Sequence, residues 1–181
     1  MAKREISYAD HLDKVFEIMS TYGILIVSND KRGKANPMTI GWGTVGVIWG
    51  RPVFLALVRH SRYTFSCLEH TGDFTINVAP PEMKDIVEYC GTVSGRNHDK
   101  VAEKGLTLLR AEKVSSPLIQ ECVLHYECRV IHKHDLAPET LAREIIPQYY
   151  PSDDFHRVYY GQILRAVAEE QLHWSGKHEV C

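Results

Sequence analysis

A chain of 181 residues, 44% apolar and 24% charged, suits one domain around a single substantial core. Its formal net charge of −2 gives no nucleic-acid surface, and no apolar run approaches the ~20 residues of a membrane span. The five cysteines are odd in number and form no CxxC pair, and the ten histidines fall in no HExxH or Cys/His zinc spacing, so reduced thiols and no structural metal are expected.

In chain order, the start Met1-Ala2-Lys3-Arg4-Glu5 has no signal-peptide core, and the expected compartment is the cytoplasm. Over residues 7–19, Tyr8, Leu12, Val15, Phe16 and Met19 recur at helical spacing, with Ser7 and Asp10 as a capping pair. Residues 22–28 read as a strand ending in a charged turn. Residues 36–49 read as one long strand whose glycines imply bulges, curvature or a close ligand. After Arg51-Pro52, the wholly apolar run 53–58 predicts a strand buried on both faces. Residues 61–70 predict a helix, 74–78 a strand, and 81–89 a helix with Gly91 just past its end. Residues 123–131 alternate, with Leu124, Tyr126, Cys128 and Val130 on one face. A small helix over 140–146 and a last strand over 158–167 complete a β-barrel with peripheral helices, an α+β class.

Three stretches carry chemistry. Arg59-His60-Ser61-Arg62-Tyr63-Thr64 opens a helix after a buried strand, where free N–H groups, forked guanidiniums and hydroxyls suit an anion; a plain N-cap with wet arginines fits the same pattern. In Asn36-Pro37-Met38-Thr39-Ile40-Gly41-Trp42-Gly43, polar groups and bare backbone alternate with side chains that can cover a flat ring; a curved strand with Trp42 in the core is the simpler alternative. The loop 91–100 is polar and glycine-bearing, a ligand loop or a solvated connection.

Together these stretches resemble the flavin reductase-like FMN-binding family, which includes the flavoredoxins. Residues 36–43 are similar to its "N-x-M-T-x-G/S-W" strand, and 59–64 to its phosphate segment. Gly72-Asp73-Phe74-Thr75-Ile76-Asn77 resembles "G-x-F-x-x-N", and Gly91, Ser94-Gly95 and Asp99-Lys100-Val101 resemble "G-x-x-S-G…D-K-F". His156 and Gly161 match a late "H-x-x-x-x-G-x-V" strand. Departures are Tyr22-Gly23 for a proline, Gln162 for Glu, and Val101 for an aromatic.

The resemblance implies a mostly antiparallel split barrel that forms a homodimer and binds FMN. Arg59, His60, Ser61, Arg62, Thr64, Ser94 and Lys100 are then expected around the phosphate, and Asn36 and Asn77 along the ribityl chain. Met38, Thr39, Ile40, Gly41 and Trp42 would lie at the ring. His156 would lie near the ring edge, with catalytic proton movement as its expected role because imidazole titrates near neutrality. Trp174 would cover a flavin. The expected activity is NAD(P)H-dependent flavin reduction, with the nicotinamide stacking on the flavin since no GxGxxG is present. A flavoredoxin-type electron carrier with a protein partner is the alternative. A non-redox protein binding metal through His125, His132 and His134 is the third.

Overall fold

The computed structural model describes residues 3–170 and Leu172. Its elements are β1 (Lys3–Glu5), α1 (Leu12–Thr21), β2 (Ile24–Asn29), β3 (Ala35–Ile40), β4 (Gly43–Ile48), β5 (Arg51–Arg59), α2 (Tyr63–Thr71), β6 (Asp73–Val78), α3 (Lys84–Thr92), α4 (Lys100–Glu103), β7 (Leu108–Leu109), β8 (Leu118–Ile119), β9 (Leu124–Asp135), α5 (Ile145–Tyr149) and β10 (His156–Glu169). The expected helix over 7–19 begins only at Leu12, because His11 adopts a left-handed φ of 62°. Gly91 lies inside α3 rather than beyond it.

The predicted strand over 36–49 is two strands, broken at Gly41-Trp42, and the break shapes the whole fold. The main sheet runs β3-β2-β6-β9-β10-β5-β4, with β1 added beside β10 and every pairing antiparallel. Laid flat at ~4.8 Å per strand, this path would hold β3 and β4 roughly 29 Å apart. Yet only two residues join them, and Ile40 to Gly43 can span at most ~10 Å. The sheet must therefore roll until its two edges face each other, and they meet without pairing. The result is a split barrel.

The alternation read over 123–131 holds. Leu124, Tyr126 and Cys128 face inward, with Phe54, Phe74, Ile76 and Tyr159, in one buried cluster. The opposite face of β2 packs under α3, where Leu25 and Val27 meet Val87, Cys90 and Ile119. On β5, Leu55 and Leu57 are half-buried while Val53, Phe54, Ala56 and Val58 are buried, so the strand is covered more completely on one face than expected.

Candidate functional site

Two adjoining cavities open where the β3–β4 link crosses the ends of β5 and β10. The larger, about 260 Å³, is lined by residues 38–42 and 57–59 with Arg62, Gly91 and His156. The smaller, about 160 Å³, is lined by Asn36, Met38, residues 61–64 and 92–96, and Lys100. Met38 and Arg62 border both, so the two form one elongated cleft with chemically different ends.

The smaller end is cationic. Arg62 Nε donates to Met38 Sδ at 3.3 Å, and its Nη2 donates to the Gly91 carbonyl. Arg96 Nη1 donates to the Ser61 carbonyl at 3.0 Å, with its guanidinium over the Tyr63 ring. Burial pulls Arg62 below its ordinary pKa; Asp154 opposes this, and repulsion from Arg59 and Arg96 adds to it. Positive charge is thus crowded here. Lys100 is 3% exposed, and its ammonium donates to the carbonyls of Pro37 at 2.8 Å and Cys90 at 2.9 Å. Burial lowers its pKa to about 8, and one of its three hydrogens remains for a ligand. Asn36 Nδ2 donates to Thr64 Oγ1 at 2.8 Å. Gly95 lets the 94–96 backbone press in: a Cβ there would overlap Asn36 Oδ1 and stand 3.0 Å from the Tyr63 ring.

The larger end is aromatic. Trp42 lies 4.9 Å from His156 and meets Tyr149 edge-on at 5.2 Å, ring to ring. His156 is 7% exposed and shares a 2.9 Å hydrogen bond between its Nδ1 and the Tyr150 hydroxyl. Arg59 lies over the rings of Tyr150 and Trp42 and donates to the carbonyls of Asp154 at 2.6 Å and Tyr149 at 2.9 Å.

Burial, then the charge of Arg59, depresses the His156 pKa to about 4. The imidazole is therefore neutral near pH 7, which corrects the expectation of titration near neutrality. Between about pH 4 and 6.5 the unfolded chain takes up a proton that folded His156 refuses, so acid in that window removes stability. Buried His125, depressed to about 3, acts in the same direction. The thermal midpoint is expected to fall as pH drops from 6.5 to 4, and His156→Gln to flatten part of that slope. A slope unchanged in the variant would reject the assignment.

A family model described as "Flavin reductase like domain" matches residues 19–177. The chain belongs to the flavin reductase-like family. It is 35% identical over 117 residues to an uncharacterized protein of Archaeoglobus fulgidus, a match covering 65% of this chain and 64% of that one, so it spans just under two thirds of that relative. It is 26% identical to the uncharacterized protein YddH of Escherichia coli, over 85% of this chain and 74% of that one. Among solved structures, flavoredoxin from Methanosarcina acetivorans superposes with a TM-score of 0.66 at 27% identity, covering 93% of this chain and 77% of that one. Flavoredoxin of Desulfovibrio vulgaris (Miyazaki F) gives 0.66 at 22%, covering 92% and 77%.

In this flavin reductase-like cleft, Met38, Thr39, Ile40, Gly41, Trp42, Arg59 and His156 gather at the aromatic end. Asn36, Ser61, Thr64, Ser94 and Lys100 gather at the cationic end, with Arg62 between. Arg59 is thus placed away from the smaller cavity, where a phosphate role was expected. Asn77 is a correction. Its side chain points out of the barrel, fully buried, donating to Thr75 Oγ1 at 2.9 Å and accepting from the Ile119 N–H and His125 Nδ1, both at 2.8 Å. His60 is another: its Nε2 lies 2.7 Å from Asp135 and its ring 4.6 Å from Phe65, outside both cavities. The trio of His125, His132 and His134 does not assemble, since His125 is buried and its Nε2 accepts from Lys3, while the other two lie on the exposed end of β9. Trp174 lies outside the described residues.

Sequence reasoning missed Arg96, Tyr149, Tyr150 and Asp154. Arg96 sat within the flagged loop and differed from its neighbours only by charge. The other three belong to the connection between β9 and β10, where the expected small helix over 140–146 instead forms at Ile145–Tyr149, and which comes back to the cleft only through the fold.

Proposed function

We propose that this chain holds FMN in the cleft and works as an NAD(P)H-dependent flavin reductase. The observation that carries the reading is the joining, across Met38 and Arg62, of a cationic subsite at a helix start to an aromatic one along β3. The donors suit a phosphomonoester: Arg62 and Arg96 supply fixed charge, Lys100 a spare ammonium hydrogen, and the first turn of α2 carries N–H groups with no partner inside the helix. Asn36 and Thr64 line the same subsite and suit a polyol chain. Bound FMN supplies the hydride and electron chemistry. The chain's own residues bind and orient. Trp42 with His156 walls the ring end, and Arg59 ties the 149–154 segment against that wall. Neutral His156 holds a shared hydrogen with Tyr150 and gives no proton at pH 7.

The 27% identity to the M. acetivorans flavoredoxin favours a second reading, in which FMN is retained and electrons pass to a protein partner. The visible spectrum of the purified protein tests both, followed by anaerobic NADH and NADPH. Flavin bands that bleach rapidly fit a reductase; slow bleaching fits an electron carrier. A colourless protein indifferent to added FMN would overturn both.

A homodimer is also proposed. Val47 and Trp49, 63% and 64% exposed on the β4–β5 hairpin, form an apolar face that a second copy would cover. Light scattering giving a monomer mass would refute it. Among the described residues no helix is long and apolar enough to cross a membrane. A cytoplasmic location and the absence of nucleic-acid partners belong to the same proposal.

A further inference from the structure

Ser61 precedes α2 and lines the cationic cavity, yet its donors are already engaged. Its hydroxyl donates to Asp154 Oδ2 at 2.6 Å, and its N–H donates to Asp154 Oδ1 at 3.3 Å. Asp154 is also the carboxylate that offsets the repulsion of Arg59 and Arg96 on Arg62. A carboxylate at a helix start beside guanidiniums does what an anionic ligand does there. The backbone serves this placement. Asp153 takes a left-handed φ of 55°, unfavourable for a residue with a Cβ, and this turns the chain just before Asp154. Arg59 then secures the turn through the Asp154 carbonyl at 2.6 Å, a bond that does not involve the Asp154 side chain.

We propose that Asp154 is a specificity-determining residue, an internal anion that competes with a ligand's phosphate for Ser61 and so sets how much affinity the phosphate confers. The identity of the ligand as FMN rests on the function proposed above; the competition for Ser61 does not. Phosphate entering the smaller cavity meets Ser61 donors turned toward Asp154, and binding requires that contact to loosen. A flavin without phosphate does not need those donors and meets no competitor.

Asp154→Asn keeps the shape and removes the charge, and Asp154→Ala removes the acceptor. In both, Arg59 can still hold the 149–154 segment through the Tyr149 and Asp154 carbonyls. Full-length protein and both variants are titrated with FMN and with riboflavin by fluorescence, and with inorganic phosphate by thermal shift. The expected result for Asp154→Asn is FMN binding roughly tenfold tighter, on the scale of one charge-assisted hydrogen bond set free, with riboflavin unchanged. A larger phosphate-induced rise in melting temperature is expected as well. FMN affinity unchanged or weakened in both variants would overturn the proposal and make Asp154 a brace. Should no variant bind flavin, the function above fails instead. The phosphate arm then still decides: equal shifts in wild type and Asp154→Asn reject the competition, and a larger shift in the variant upholds it.

Discussion

Replacing Arg62 and Arg96 together with alanine is expected to lower FMN affinity by roughly two to four orders of magnitude, since each charge-assisted contact is worth ~1.5–3 kcal/mol. Riboflavin affinity is expected to fall less, because Arg96 borders only the smaller cavity, although Arg62 borders both. Arg62 carries more than charge. Its bonds to Met38 and the Gly91 carbonyl tie α2 to β3 and α3, so the single variant Arg96→Ala isolates the electrostatic part. Arg59→Ala should behave differently. Its guanidinium is spent on the Tyr149 and Asp154 carbonyls, so its loss frees the wall beside Trp42 and weakens FMN and riboflavin alike. Fluorescence titration of the variants against both flavins separates these effects. A double variant that loses FMN and riboflavin equally would move the phosphate out of the smaller cavity.

Gly161→Ala is expected to cost ~1–3 kcal/mol of stability, the usual scale for overpacking a filled core. At this chain length that lowers the thermal midpoint by roughly 2–12 °C. A Cβ at 161 would overlap the Phe74 ring and stand 2.9 Å from Cys128 Cβ. Neither neighbour can easily yield. Phe74 is fully buried against Phe54, and Cys128 is fully buried in β9 opposite Ile163. Circular-dichroism melts measure the effect, and an unchanged midpoint would mean the Phe74 ring can relocate. The late glycine matched at sequence level therefore has a packing reason, independent of any ligand.

Periodicity alone placed the strands at 74–78 and 123–131 and the inward row Leu124, Tyr126 and Cys128. These depend on neighbours two residues apart, and the barrel interior preserves that period. The strand-to-helix junction at 59–64 was legible for a similar local reason: a buried strand running straight into a helix leaves free N–H groups wherever it occurs. Burial of Asn77 could not be read, because polar residues on the outer face of β6 are covered only once the segment carrying Ile119 folds over them. The break at Gly41-Trp42 was equally hidden, since an unbroken strand and a corner between two sheet edges have the same residues. What separates them is that β2 and β5 recruit the two halves to opposite ends of one sheet. The far wall of the cleft was decided last and by tertiary structure only. Tyr149, Tyr150 and Asp154 lie about ninety residues from Arg59 and Ser61 in sequence. No pattern of local spacing encodes that meeting, which arises from the antiparallel pairing that sets His156 opposite Arg59.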